Sequence, residues 1–320
     1  MTFKNIWRRT TGYFPYLLCI LLLSHNDEWV GFLMINTTAQ FFIFLLFACL
    51  PAYFTQRMSY VDIAWPWGLV AIGVTVLALG EGYWLRIYII AAIYLISGLR
   101  MGLGAIVLYR KGQLDTELAR YKFQRKRWEK MGYSNEKISL QYEIMIQCLA
   151  NMSFLAIPAL LQFSNPNASL STLEITGYIL WLCFFIIEHL ADFQKQRFLI
   201  KCRLENKKKQ VCNVGLWRYT RHPNYFAEWM VWNALICTSI PSLLFYYNSN
   251  NKLIWIALAL ATLFISRLMY TTLVYYTGAV PSEYYSLQKR PDYQKYQEET
   301  AIFFPFPTKK GNSRQNGLRF

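Results

Sequence analysis

The sequence has a low share of charged residues, and this shortage excludes most soluble classes of protein. Only 16% of its 320 residues are charged, whereas 55% are hydrophobic and 18% are aromatic. Soluble domains carry about 25% charged residues. The formal net charge is nevertheless +15, so the few charges are mostly of one sign and lie between apolar stretches. Because charge is costly in hydrocarbon and tolerated at its edges, this pattern predicts a membrane protein.

The seven cysteines have no paired spacing, and five of them lie in apolar stretches. We therefore expect reduced thiols and no disulfide framework. Cys202 and Cys212 are too far apart to form a zinc-binding pair, and no second pair follows them. We expect no metal and no nucleic acid as partners of this chain.

The apolar stretches predict an all-α membrane helix bundle of about eight spans, since a span needs roughly 20 apolar residues. The first stretch lacks a small-residue cleavage site and is followed by Asn26, so we interpret it as a span and not as a signal peptide. The predicted spans are about 11–25, 32–54, 65–80, 84–107, 139–163, 172–190, 224–247 and 253–276.

Lysine and arginine are distributed very unequally between the two sides of this layout. With the N-terminus inside, the inner segments hold 29 of the 33 basic residues, and the outer loops hold only Arg86 and Lys252. Inner loops of membrane proteins carry such an excess. We therefore expect both termini in the cytosol and a basic, disordered tail at 309–320.

The stretch from Gly215 to Glu228 has more polar groups than the start of a span needs. Pro223 suits a first helical turn, and a helix N-terminus favours anions. Arg218 and Arg221 flank this turn with forked donors that match phosphate geometry. Asn224 offers a donor and an acceptor, which suits a carboxamide such as that of nicotinamide. The pattern predicts a pocket for a phosphorylated, amide-bearing or adenosyl cofactor.

Two further places combine charges with apolar stretches. Glu188 and Asp192 fall on one face of the sixth predicted span, and a network of salt bridges is the alternative interpretation there. Asp62, near Tyr60, either caps the third span or is an acid that faces a substrate. Gly98 and Gly102 are spaced by four, which predicts close helix packing and not a dinucleotide motif.

These motifs resemble those of the steroid 5-alpha-reductase-like membrane family, and more narrowly its uncharacterised, largely bacterial branch. The resemblance spans about 55–307, and its specific part is the stretch 215–228. It rests on Glu188-x-x-x-Asp192-x-Gln194-x-x-Arg197-Phe198, on Gly215-Leu216-Trp217-Arg218-Tyr219-x-Arg221-His222-Pro223-Asn224-Tyr225-x-x-Glu228, on Tyr60-x-Asp62-x-x-Trp65, on Gly98-Leu99-Arg100, on Asp292-Tyr293-x-x-Tyr296-x-x-x-Thr300 and on Phe304-Pro305-Phe306-Pro307.

The resemblance implies a reductase that uses NADPH on a double bond of a lipid-like enone or alkene. The half 1–140 would face the substrate, and the half 141–308 would hold the cofactor from the cytosolic side. Asp62 and Tyr60 are the catalytic candidates, and which of them donates the proton stays open. The implied cofactor contacts are Glu188, Asp192, Arg197, Arg218, Arg221, His222, Asn224, Tyr225, Glu228, Tyr284 and Tyr285.

This chain departs from the steroid reductases of that family at two points. It has Glu188 and a Gln-Lys-Gln-Arg stretch where they have an asparagine and two arginines, and their catalytic Glu–Tyr pair has no clear match. The sequence therefore does not identify the lipid substrate. The expected location is the bacterial cytoplasmic membrane, or the endoplasmic reticulum in a eukaryote.

Two other classes of function stay open. Isoprenylcysteine carboxyl methyltransferases and phospholipid N-methyltransferases also carry an Arg-His-Pro-x-Tyr element, with a late acidic segment that binds S-adenosylmethionine. Glu283 or Glu298 and Glu299 would fill that acidic role here. A lipid-binding membrane protein without catalysis is the third alternative, although it would not need Asn224 with arginines around it.

The charge distribution leads to a test of topology. A reporter fused after Phe320, or inserted within 201–213, should report the cytosol, and a reporter at Asn165 or Ser249 should report the opposite side. Alkaline phosphatase and fluorescent-protein fusions make the measurement. A non-cytosolic signal from 201–213 would contradict both the topology and the proposed entry of the cofactor.

Overall fold

The computed structural model describes residues 3–133, 135–207, 209–247 and 251–307. Within these ranges the chain forms helices and no strand, which confirms the all-α fold class. The predicted tail at 309–320 lies outside the described residues. The main helices are α1 (Phe3–Leu23), α2 (Asp27–Thr55), α3 (Met58–Leu79), α4 (Trp84–Arg110), α5 (Ala119–Lys130), α6 (Glu136–Phe163), α7 (Thr172–Leu204), α8 (Pro223–Phe245), α9 (Lys252–Thr271), α10 (Ala279–Lys289) and α11 (Tyr293–Glu299).

Within the described ranges, six helical segments are long and apolar enough to cross a membrane. They are α2, α3, α4, α6, α7 and the continuous segment Lys252–Lys289, which covers α9, a π-helical turn and α10. The helices α1 and α8 have 21 and 23 residues and coincide with two predicted spans, but they are not among these six. The composition is that of a multi-pass membrane protein.

Helix starts follow from the local sequence in some places and from distant residues in others. Asn26 caps α2 by accepting a hydrogen bond from the backbone N–H of Glu28, at 3.1 Å. In contrast, α3 has no side-chain cap of its own. The carboxylate of Glu117 accepts from the backbone N–H groups of Met58 and Ser59 at 2.8 and 3.1 Å, and thereby satisfies the free donors of that helix end.

The chain forms two compact units, whose boundaries fall inside helices. The first unit comprises Met1–Ile175 and Ile236–Ile265, and the second comprises Thr176–Leu235 and Ser266–Phe320. The proposed division into a substrate half, 1–140, and a cofactor half, 141–308, stays a prediction about function.

Close packing of α3 against α4 in the first unit depends on Gly98 and Gly102, as their spacing predicted. A Cβ atom on Gly98 would lie 2.7 Å from the carbonyl oxygen of Pro66, and one on Gly102 would lie 2.9 Å from Nε1 of Trp67. Such distances are too short for any larger side chain, so the prediction of close packing at these positions is confirmed.

A buried ion pair holds the region between α6 and α7 in the first unit. Arg86, at the start of α4, contacts both carboxylate oxygens of Glu174 and is 1% exposed. Its remaining donors are used as well. They reach the carbonyl oxygens of Asn165, Asn167 and Ser169 at 2.9, 3.0 and 2.8 Å. The guanidinium is therefore a structural group, because it joins α4 to the connecting segment and to α7.

Because the Arg86–Glu174 ion pair is buried, we expect a large loss of stability when the Arg86 side chain is removed. Arg86→Ala should lower the free energy of unfolding by about 3–5 kcal/mol, because Glu174 would keep a buried charge without its partner. Denaturant titration of the purified protein in detergent measures the change. Lys111→Ala, which removes an exposed cation at the other end of α4, is the matched control and should change stability by less than about 0.5 kcal/mol. Equal stabilities for the two variants would contradict the structural role.

Candidate functional site

The segment 211–219 is held against α7 in the second unit. Gly215 has a φ of +55°, which glycine adopts without strain, and a Cβ atom there would lie 2.4 Å from Oε1 of Gln194. The same oxygen accepts from the backbone N–H of Leu216 at 2.9 Å. Trp217 is buried, and its indole N–H donates to the carbonyl of Ala191 at 2.9 Å. The Gly-Leu-Trp motif therefore docks the segment before α8 onto α7.

Asn224 and Asp192 meet at the start of α8. The Nδ2 group of Asn224 donates to Oδ1 of Asp192 at 3.0 Å. A carboxylate only accepts, so this contact fixes the orientation of the Asn224 amide. Its Oδ1 atom is buried and accepts no hydrogen bond from the described residues. Leaving a buried acceptor unsatisfied costs about 1–3 kcal/mol, so this oxygen is a position where a donor from a ligand would be stabilising.

Arg221 lies in a buried, bidentate ion pair. Its Nε and Nη2 atoms donate to the two carboxylate oxygens of Glu283 at 2.6 and 3.1 Å, and Arg221 is 8% exposed. Its Nη1 atom donates to the backbone carbonyls of Gln297, at 2.9 Å, and Thr300. The motif predicted a phosphate contact for Arg221, whereas in the structure the Arg221 guanidinium binds the protein itself.

His222 shares the Glu283 carboxylate with Arg221. Its Nε2 atom lies 3.1 Å from Oε1 of Glu283, and its ring stacks on Tyr225 with centroids 5.2 Å apart. Burial lowers the pKa of His222, and the opposing effect of Glu283 does not reverse this. We assign the neutral ring with its proton on Nε2, since a carboxylate only accepts. His222 thus supports the same buried cluster.

The two other predicted arginines are exposed. Arg218 ends the 3₁₀ turn Gly215–Arg218, and no hydrogen bond or ion pair engages its guanidinium within the described ranges. Arg197 lies on α7, where its guanidinium carbon is 5.5 Å from the ring centre of Phe193. These two side chains are available to an anionic ligand, unlike Arg221.

The structure places the remaining predicted cofactor contacts on three helices. Glu188 is buried on α7, one turn before Asp192, and Glu228 is half-buried on α8, one turn after Asn224. Tyr284 and Tyr285 lie on α10, with ring centroids 5.1 Å apart. All of the predicted cofactor residues belong to the second unit.

The two catalytic candidates belong to the first unit. Asp62 accepts hydrogen bonds from Arg120 and from the hydroxyl of Tyr121. The carboxylate of Asp62 therefore accepts two hydrogen bonds, which join α5 to the start of α3. Tyr60 is 9% exposed, and its ring centre lies 5.5 Å from the guanidinium carbon of Arg57. The catalytic role of this pair stays a prediction.

Two members of the second unit's polar cluster were not assigned to the cofactor site from the sequence. Glu283 was considered only for the methyltransferase alternative. Lys195 falls on the same helical face as Asp192 in the sequence pattern but was not assigned to the cofactor, and its Nζ lies 4.3 Å from the ring centre of Trp217. Within the described residues, no group of three His, Cys, Asp or Glu side chains is placed to hold a metal ion.

The chain matches the family described as "Protein of unknown function (DUF1295)" over residues 50–300. The chain belongs to this family. The matched region includes the Asp192–Asn224 pair, the Arg221–Glu283 cluster and both catalytic candidates. No curated protein and no solved structure matches the chain.

Arg221 is buried in an ion pair and Arg218 is exposed, so we expect their removal to affect stability very differently. Arg221→Ala should lower the free energy of unfolding by about 3–5 kcal/mol, because Glu283 would lose its buried partner. Arg221→Lys should restore only part of this loss, since the bidentate geometry is gone. Arg218→Ala is the matched control and should stay within about 0.5 kcal/mol of the unmodified protein. Denaturant titration in detergent measures the stability of all three variants. An Arg221→Ala variant as stable as the unmodified protein would refute the structural role of the Arg221–Glu283 ion pair.

Proposed function

We propose that the chain is an NADPH-dependent membrane reductase that acts on a carbon–carbon double bond of a lipid-like enone or alkene. The observation that carries the proposal is the buried Oδ1 atom of Asn224 beside Asp192, which accepts no hydrogen bond within the part of the chain that the structure describes. The motif resemblance to the steroid 5-alpha-reductase-like family supports the same function, since its specific part contains this asparagine.

The residues of the second unit fit this cofactor. The N–H of a nicotinamide carboxamide would donate to Oδ1 of Asn224, and Asp192 holds that side chain in place. The exposed guanidinium groups of Arg197 and Arg218 would address the phosphates. Arg221 would act through the fold, because its donors are engaged with Glu283 and with backbone carbonyls. The wider set of proposed contacts comprises Glu188, His222, Tyr225, Glu228, Tyr284 and Tyr285.

The proposed reaction needs positioning and a proton from the protein. NADPH, when bound, would supply the hydride. The protein would stabilise the negative charge that builds on the carbonyl oxygen of an enone by donating a hydrogen bond there. A tyrosine hydroxyl is a donor, whereas Asp62 accepts from both Arg120 and Tyr121. Of the two candidates, Tyr60 is therefore the better proposed donor, with Asp62 positioning the neighbouring helices.

The proposed topology adds α1 and α8 to the six apolar segments. Eight spans put both termini on the cytosolic side, together with the loop 205–222. The cofactor would then bind from the cytosol, where NADPH is available. The protein would be a multi-pass protein of the bacterial cytoplasmic membrane, or of the endoplasmic reticulum in a eukaryote.

A methyltransferase that uses S-adenosylmethionine is the second candidate, because His222 and Glu283 do lie together. The surroundings of Glu283 favour the reductase, since its carboxylate accepts from Arg221, His222 and Gln297, the last at 2.6 Å. A carboxylate with these partners holds the fold together. A lipid binder without catalysis would bind neither cofactor.

The test is the affinity of the purified protein for NADPH in detergent, measured by calorimetry or by fluorescence. Asn224→Ala should weaken binding about tenfold, because one hydrogen bond to the carboxamide is lost. Asp192→Asn should weaken it less, and the losses in the double variant should be less than additive because the two side chains share one ligand group.

Asn233→Ala is the matched control on the same helix. The amide of Asn233 donates to the carbonyl of Trp229 at 2.7 Å, so its removal should leave the affinity for NADPH unchanged. Binding of S-adenosylmethionine that depends on His222 and Glu283 and not on Asp192 would establish the methyltransferase instead. Binding of neither compound would refute both enzyme functions.

A further inference from the structure

A cavity of about 270 Å³ lies at the C-terminal end of α7, in the second unit. Three side chains from the last turns of α7, namely Phe198, Leu199 and Cys202, form its apolar part. Four basic side chains line it as well: Arg203, Lys207, Lys209 and Arg290. None of these residues belongs to the proposed cofactor site.

Most of the positive charge at this cavity is not neutralised by the described residues. Lys207 pairs with Glu205 at 2.9 Å. Arg290 donates only to neutral groups, namely the carbonyl of Gln210 and the hydroxyl of Ser286, both at 3.1 Å. Arg203 and Lys209 have neither an ion pair nor a hydrogen bond with any described side chain. Arg203, Lys209 and Arg290 therefore line this cavity without a carboxylate partner among the described residues.

The backbone at the C-terminal end of α7 has a conformation that positions the basic residues beside the cavity. Lys207 ends the helical hydrogen-bonding pattern by donating from its N–H to the carbonyl of Cys202 at 2.9 Å. Asn206 and Lys209 have φ angles of +53° and +65°. A lysine is unfavourable in this left-handed conformation. Basic residues at a helix end also balance the helix dipole, but this effect requires neither a cavity nor an apolar wall.

The apolar wall continues onto the surface of a candidate membrane span. Leu199, Ile200 and Leu204 are 43%, 54% and 78% exposed on α7. A ligand that fits this surface needs an anionic group for the cations and a hydrocarbon chain for the leucines and isoleucine. Basic clusters just beyond a membrane span attract anionic lipids by this chemistry.

We propose that this cavity binds the phosphate headgroup of an anionic phospholipid, with the lipid's chains against the exposed apolar face of α7. Arg203, Lys209 and Arg290 contact the phosphate, and Phe198 and Cys202 contact the glycerol and the first methylene groups. The site is separate from the Asn224–Asp192 pair. It does not depend on whether the chain is a reductase.

The experiment is native mass spectrometry of the full-length protein in detergent micelles that contain equal amounts of phosphatidylglycerol and phosphatidylcholine. The unmodified protein should retain phosphatidylglycerol in preference to phosphatidylcholine, on the order of tenfold. The double variant Arg203→Ala/Lys209→Ala should retain the two lipids about equally. The matched control Arg110→Ala/Lys111→Ala removes two exposed cations from the end of α4, away from the residues that line the cavity, and should keep the preference.

A second variant tests the cavity without changing its charge. Cys202→Trp fills the space and should abolish the preference, while its thermal unfolding midpoint reports that the fold is intact. Equal losses in the two double variants would show general attraction to surface charge and overturn the proposal. Release of the bound phosphatidylglycerol by millimolar inorganic phosphate or NADPH would also overturn it, because the pocket would then belong to a soluble anion. Neither result bears on the affinity change expected for Asn224→Ala.

Discussion

The second unit depends on the ion pair between Arg221 and Glu283. Two charges removed from water cost several kcal/mol each, and only a nearly complete set of hydrogen bonds offsets this. The structure supplies that set, since Glu283 also accepts from His222 and Gln297, and Arg221 also donates to two backbone carbonyls. The backbone N–H of Arg221 donates to the carbonyl of Ala301 at 2.9 Å. One residue thus joins the start of α8, α10 and the segment after α11.

This anchor fixes the direction in which α8 begins, and the Asn224–Asp192 pair follows from it. Pro223 starts the helix directly after His222, so Asn224 lies in the first turn. The neighbouring Thr220 donates to the carbonyl of Phe303 at 2.9 Å and accepts from the N–H of His222 at 3.3 Å. Because these contacts hold the turn, the amide of Asn224 is placed within hydrogen-bonding distance of Asp192. The half-buried side chain of Asn224 can therefore keep one orientation.

Periodicity and composition predicted what depends on neighbouring residues in the chain. The helical stretches and the close packing at Gly98 and Gly102 came from local patterns, and so did the choice of Asn224 and Asp192 as candidate site residues. The partner of Arg221 did not, because Glu283 is 62 positions away and nothing near it in sequence indicates the pairing. The contacts of Asp62 were missed for the same reason, since Arg120 and Tyr121 reach it from α5. The unit boundaries inside helices also depend on packing that sequence windows do not contain.

Arg218 and Arg221 show why a motif alone does not tell which arginine has a free guanidinium. The two residues are three positions apart and look equivalent in sequence, but the 3₁₀ turn ends at Arg218 and leaves it exposed, whereas Arg221 points into the protein. An exposed cation contributes little energy to a single contact, since water screens it. A buried amide such as Asn224 is more selective, because a ligand without a matching donor leaves its oxygen unsatisfied. On the proposed function, the exposed arginines would therefore add affinity for many anions, and Asn224 would decide which of them binds.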